Sequence, residues 1–136
     1  SYLLPFLSPL QVIQKPYCSS SDVKNVYQTP PDLIKNKLDS TDLYCSHAIQ
    51  DFDFILWYKQ STNNQLYLLG YLNMNLKNPE EALKNKIELD GNGQNNSTLT
   101  IKNLEPNDSA VYFCAAKMHS ATVLCFLLQK PSSFTA

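Results

Sequence analysis

Four cysteines, two histidines and a scatter of carboxylates are the residues of this 136-residue chain with chemistry to offer. Cys18, Cys45, Cys114 and Cys125 lie far apart, and no two stand at the short spacing of a zinc knuckle or a redox dithiol. That pattern argues against a metal site. It favours a disulfide closing a long loop, which implies folding in an oxidising compartment and so a secreted or surface protein. Asn95, Asn96 and Asn107 each open an Asn-X-Ser/Thr triplet, the acceptor pattern for N-glycosylation on the same route. Catalysis would need a nucleophile, a base and a group that orients the base. The histidines supply little of this: His47 follows a cysteine in a run that reads as core, and His119 stands near the C-terminal end. Three glycines are too few for a phosphate-cradling loop. A net charge of −1 without any Lys/Arg cluster leaves nothing to grip a nucleic-acid backbone or an anionic membrane. No enzyme activity, metal, cofactor or nucleic-acid partner is expected.

The elements that must position these residues are short and extended. Apolar residues make up 43% of the chain and charged residues 17%, enough to bury one core in one domain. Residues 1–22 show no strand alternation: the short apolar run Tyr2 to Leu7 is followed by Pro9, Pro16 and a triple serine. From Val26 onward, short alternating segments recur between turn residues, as in an antiparallel β protein. Ile55 to Gln60 runs into the polar turn Ser61 to Asn64, and Gln65 to Tyr71 returns as the second arm of a hairpin. Lys86 to Asp90 breaks at Gly91-Asn92-Gly93 and resumes as Ser97 to Lys102, with Leu99 and Ile101 on one side. Ala110 to Cys114 supplies a further strand. At least seven strands and no convincing helix give an all-β, two-layered class.

Trp57, the only tryptophan, lies between Cys45 and Cys114, and Tyr112 precedes Cys114 by two residues. Trp57-Tyr58-Lys59-Gln60 and Leu104 to Cys114, read Leu-Glu-Pro-Asn-Asp-Ser-Ala-Val-Tyr-Phe-Cys, resemble the framework motifs of antigen-receptor variable domains of the immunoglobulin superfamily. The match covers about residues 26–116. Val26 to Pro30 and Leu68 to Tyr71 resemble the T-cell receptor beta kind. The resemblance implies a V-type Greek-key β-sandwich. In it Cys45 and Cys114 form the inter-sheet disulfide, Trp57 packs on that bridge among a core that includes Leu99 and Ile101, and Tyr112 turns its hydroxyl to upstream backbone. It also implies an ion pair between Asp108 and Lys86. Lysine stands there where the family normally has arginine, so one contact is expected in place of a bidentate pair.

Function in such a domain sits in the loops at one end of the sandwich. The resemblance places Gln50, Asp51, Phe52 and Asp53 in the first loop, Asn73, Met74 and Asn75 in the second, and Lys117 at the start of the third. Carboxylates there would accept from basic groups, and the aromatic and methionine side chains would add apolar contact. In the family these loops meet a peptide held by a major histocompatibility molecule. A second surface, with Tyr58, Gln60, Leu66 and Phe113, would pack on an alpha-type variable domain, Gln60 sharing an amide pair across a pseudo-twofold axis; alternatively these residues are core. The complete receptor would join CD3 signalling subunits at the cell surface, and the chain itself has no apolar run long enough to span a bilayer.

A joined receptor would continue into a strand bearing Phe-Gly-X-Gly, which this sequence lacks. His119-Ser120-Ala121 can be encoded by CACAGTG, and Leu128 to Pro131 by ACAAAAACC, the heptamer and nonamer that flank unrearranged variable segments. The expected organisation is therefore a leader- or intron-derived or disordered segment at 1–22, a V-type domain at 23–117, and a non-domain tail at 118–136 that is translated recombination signal. The sandwich would then lack a true G strand and leave strand F with an open edge, a vacant slot that the apolar, β-prone residues 121–128 could occupy by mimicry. Two other readings stay open: a V-type innate immune-type receptor or adhesion module, and a non-productive gene segment.

Overall fold

The computed structural model describes residues 26–29, 32–34, 39–119, 125–126 and 132–135. Residues 1–22, read as a leader- or intron-derived or disordered segment and including Cys18, lie outside that set. The strands are β1 (Val26–Thr29), β2 (Asp32–Ile34), β3 (Thr41–His47), β4 (Phe52–Gln60), β5 (Leu66–Asn73), β6 (Leu76–Pro79), β7 (Ile87–Asn92), β8 (Asn96–Ile101), β9 (Ala110–Met118), β10 (Cys125–Phe126) and β11 (Ser132–Thr135). They form two sheets. One runs β1-β3-β8-β7; the other runs β2-β11-β9-β4-β5-β6, with β10 also on β9. Among the described residues, two short 3-10 turns, Glu81–Leu83 and Pro106–Asp108, interrupt the strands.

The alternation in β3, β7 and β8 dictates which face goes inward. Leu43 and Cys45, Ile87 and Leu89, and Leu99 and Ile101 point to one core, while their neighbours stay in solvent. Burial in β4 is continuous from Phe54 to Tyr58, because both faces of that strand are covered. Its inner face, Ile55 and Trp57, meets the disulfide core. Its outer face, Phe54, Leu56 and Tyr58, belongs to a second apolar cluster with Leu66, Leu68 and Ala115.

Cys45 and Cys114 are bonded across the sheets, with Cα atoms 6.3 Å apart. Trp57 is fully buried beside them and donates its indole N–H to Ser97 Oγ at 2.9 Å. Tyr112 donates its hydroxyl to the Asp108 carbonyl at 2.6 Å, tying β9 to the turn before it. Lys86 Nζ meets Asp108 Oδ2 at 2.7 Å and also donates to the Asn103 carbonyl at 2.9 Å. The other charge-assisted bond to Asp108 Oδ2 is short-range, from the Glu105 amide at 2.8 Å. One residue that the sequence does not advertise spans the sandwich: Gln28 on β1 donates to the Tyr112 carbonyl at 2.6 Å and accepts from the Cys114 amide at 3.0 Å.

The expected open edge of β9 is corrected. Cys125 and Phe126 pair with Ala116 and Ala115, and Ser132 to Phe134 pair with Tyr112 to Ala110. β11 in turn carries β2 in parallel. A bare strand edge exposes a row of ladder donors and acceptors, and an extended backbone satisfies them whatever its side chains. Residues beyond 117 therefore contribute strands to this sheet, although none carries the Phe-Gly-X-Gly sequence.

Candidate functional site

At one end of the sandwich, three connections are tied to one another through backbone. Met74 donates to the Asp53 carbonyl at 2.9 Å, Gly93 to the Met74 carbonyl at 2.8 Å, and His47 to the Asn95 carbonyl at 2.9 Å. Gly93 is required by this close approach: a Cβ there would lie 2.1 Å from the Asp53 carbonyl oxygen. The buried His47 ring adds a further tie. Its Nδ1 accepts from the Ile49 amide at 3.2 Å, which leaves Nε2 to donate to the Gly93 carbonyl at 2.8 Å. The alternation of β3 places His47 inward beside Cys45, and its imidazole ties the loops together.

On that platform Gln50 and Asp51 are exposed, with Asp51 at φ 69°. Met74 and Asn75 form the turn between β5 and β6, both exposed, with Met74 at φ 55°. Four residues expected in loops lie in strands instead. Phe52 and Asp53 begin β4, Asn73 ends β5 and Lys117 lies in β9. The reason is ladder continuity: Phe52 pairs with Met118, and Phe54 pairs with both Lys117 and Asn73. Phe52 is consequently half-buried against the disulfide core.

Lys117 Nζ sits 3.9 Å from the Phe54 ring centroid, and Phe54 also stacks on Tyr71 at 5.6 Å and meets His119 at 5.7 Å. Burial pushes the Lys117 ammonium below the ordinary lysine range, and the Asp53 charge offsets part of that. Asp53 Oδ1 is buried with no hydrogen-bond donor. The end therefore presents an exposed carboxylate at Asp51, the Lys117 ammonium, and apolar surface at Met74, Leu76 and Met118. Such a mixture suits contact with a polypeptide. Among the described residues, no group of His, Cys, Asp or Glu could hold a metal ion, and no helix is long and apolar enough to cross a membrane.

The second surface is the outer face of the sheet around β4. Cross-strand register sets Tyr58 between Phe113 and Leu68, and Gln60 between Val111 and Leu66. The four residues named from sequence thus share one face. Tyr58 is 1% exposed and Leu66 5%, while Gln60 and Phe113 are half-buried. Burial pushes the Tyr58 hydroxyl well above the ordinary tyrosine range. Of the glycan candidates, Asn95 lies in the β7–β8 turn, Asn96 begins β8 and Asn107 lies in the turn before β9; all three are exposed.

Residues 28–126 match the family model of the immunoglobulin V-set domain. The human "T cell receptor alpha variable 24" is 31% identical over 112 residues, 82% of this chain and 96% of that protein. The human "T cell receptor beta variable 16" is 28% identical over 99 residues, 72% of this chain and 85% of that protein. A solved structure, described as the structural basis of T cell specificity and activation by the bacterial superantigen toxic shock syndrome toxin-1, contains a chain of the same fold. Its TM-score is 0.71 at 23% identity, covering 80% of this chain and 97% of that one. With a bonded Cys45 and Cys114 flanking a buried Trp57 in a two-sheet sandwich, the chain belongs to the immunoglobulin V-set family, and its relatives include T-cell receptor variable domains.

Proposed function

We infer that the chain is the antigen-recognition variable domain of a beta-type T-cell receptor chain. It reads a peptide presented by a major histocompatibility molecule together with an alpha-type variable domain at the cell surface. The observation that carries this reading is the second apolar cluster on the outer face of β4, β5 and β9, separate from the disulfide core; its members Tyr58 and Leu66 are buried within the chain, so a partner domain would meet this face at the half-buried Gln60 and Phe113. Gln60 has no hydrogen-bond partner among the described side chains, which suits an amide that pairs across a domain interface. The beta assignment rests on Val26 to Pro30 and Leu68 to Tyr71. The loop end, with Gln50, Asp51, Met74, Asn75 and the Phe54–Lys117 pair, supplies the peptide-facing contacts. In this reading the signalling partners are those of the complete receptor, the CD3 subunits.

The test is pairing. The purified chain is mixed with alpha-type variable domains, and the complex is sized by light scattering. Phe113→Glu should weaken a one-to-one complex at least tenfold by placing a charge in the apolar contact. Failure to pair with any alpha-type domain, with association to itself or to an unrelated surface protein through the same face, would favour an adhesion module. The germline reading has its own check: the DNA encoding residues 119–121 must read CACAGTG.

A further inference from the structure

The outer face of the other sheet carries a shallow trough of about 270 Å³, lined by Tyr27, Thr29, Tyr44, Ser46, Asn96 and Thr98. Register explains its shape. Asn96 stands beside Ser46, and Ser46 beside Tyr27; one row along, Thr98 stands beside Tyr44, and Tyr44 beside Thr29. Ser46 forms the floor between Asn96 on one side and Tyr27 on the other, and Tyr44, on the same middle strand as Ser46, bounds the trough along the strand direction. Those tyrosines are conspicuously wet for aromatic residues, Tyr27 at 59% and Tyr44 at 48% exposed. With strands about 4.8 Å apart, Asn96 and Tyr27 are separated by roughly 10 Å, the span of a sugar ring carried on an asparagine side chain.

We propose that Asn96 is the N-glycosylated residue of this domain, and that its first N-acetylglucosamine lies in this trough against Tyr27 and Tyr44. The bridge between Cys45 and Cys114 sends the chain through the compartment where the transfer takes place. In that transfer Asn96 Nδ2 bonds to the anomeric carbon of a lipid-pyrophosphate-linked oligosaccharide. The C–O bond to pyrophosphate breaks, the amide gives up one proton, and the lipid pyrophosphate leaves.

The two neighbouring acceptors are placed less well. Asn95 belongs to the turn whose backbone is bonded to His47, while adjacent Gly93 is bonded to Met74, so a glycan there would crowd the loop end. Its triplet also ends in Ser97, which is buried with its hydroxyl engaged by Trp57. Asn107 lies in the tight turn whose carbonyl accepts from Lys59 and whose next residue, Asp108, is held by Lys86. Asn96 instead belongs to β8 and lies on the outer face of the other sheet, away from the outer face of β4. The pyranose offers a C–H face of slight positive charge, which complements the negative face of a tyrosine ring.

The experiment uses the full chain secreted from N-glycosylating cells. Enzymatic glycan release in heavy-oxygen water marks the modified asparagine by mass; the expected mark is at Asn96, and it persists in Asn95→Gln. After trimming to a single N-acetylglucosamine, the ring protons of that sugar should be shifted upfield in the NMR spectrum by the tyrosine rings. The upfield shift should be lost in Tyr27→Ser/Tyr44→Ser, whose exposed positions leave folding intact. Marking at Asn95 or Asn107 with Asn96 bare, or an Asn96-linked sugar at ordinary chemical shifts, overturns the proposal.

Discussion

Gln28 shows how a single side chain can hold two sheets in register without announcing itself. A glutamine in a polar run reads as surface, yet here it is 5% exposed and supplies the partners of one β9 carbonyl and one β9 amide. Gln28→Met keeps the shape and removes both partners, so a buried N–H and C=O lose their bonds. The expected cost is about 2–3 kcal/mol by urea denaturation. Tyr58 makes a prediction in pH. Tyrosine in the unfolded chain titrates near 10.0, whereas the buried hydroxyl keeps its proton well beyond that. Below pH 10 both states are protonated and nothing changes. Above it the unfolded state alone loses a proton, so stability falls by up to about 1.4 kcal/mol per pH unit. Tyr58→Phe should therefore show a shallower alkaline loss. Lys59, pushed below its ordinary range by burial, contributes with the opposite sign but is common to both proteins and cancels.

At the scale of elements, the turn between β5 and β6 carries Met74 in the left-handed region, which a side chain with a Cβ adopts at a cost. Met74→Gly should raise stability by roughly 0.5–1 kcal/mol in thermal unfolding, the relief of strain exceeding the added freedom of the unfolded chain. On the proposed antigen-recognition reading, a stabilised turn that also weakens binding of a presented peptide would tie the strain to function. This turn also illustrates what sequence could and could not convey. Cys45, Trp57, Leu99, Ile101, Tyr112 and Cys114 announce themselves because burial in a sandwich imposes period-two alternation and only rare residue types meet at its centre. The strand ends were not legible. Leu76 to Pro79 reads as loop, being rich in Asn, Lys and Pro, yet it pairs with β5 through backbone alone. The same holds for Asp53, whose polarity suggests a loop although its neighbours sit in ladders on both sides. Backbone pairing is indifferent to side chains at an edge, so composition there carries little information.

For the whole molecule, the question is what the chain beyond residue 119 does for the sandwich. β4 covers one edge of β9 from Phe52 to Gln60, while the other edge depends on the two-residue β10 and the four-residue β11. β2 depends on β11 for its place in the sheet. Truncation after His119 thus removes two strands and strands a third, and it bares a row of donors and acceptors on β9 from Ala110 to Ala116. Two consequences follow from physics alone. The bare edge invites pairing with a second copy, so the truncated chain should sediment as dimers or larger species at concentrations where the full chain is monomeric. The lost ladder should also lower the urea midpoint, while Trp57 and the bridge between Cys45 and Cys114 stay in a folded core, visible as retained indole burial in fluorescence. Hydrogen exchange of the full chain gives the complementary reading: β9 amides directed toward β4 should exchange slowly, and those directed toward β10 and β11 much faster, because short edge strands open locally. A truncated chain that remains monomeric with an unchanged midpoint would show that the backbone beyond 119 contributes nothing to the fold, and that the edge of β9 is protected by other means.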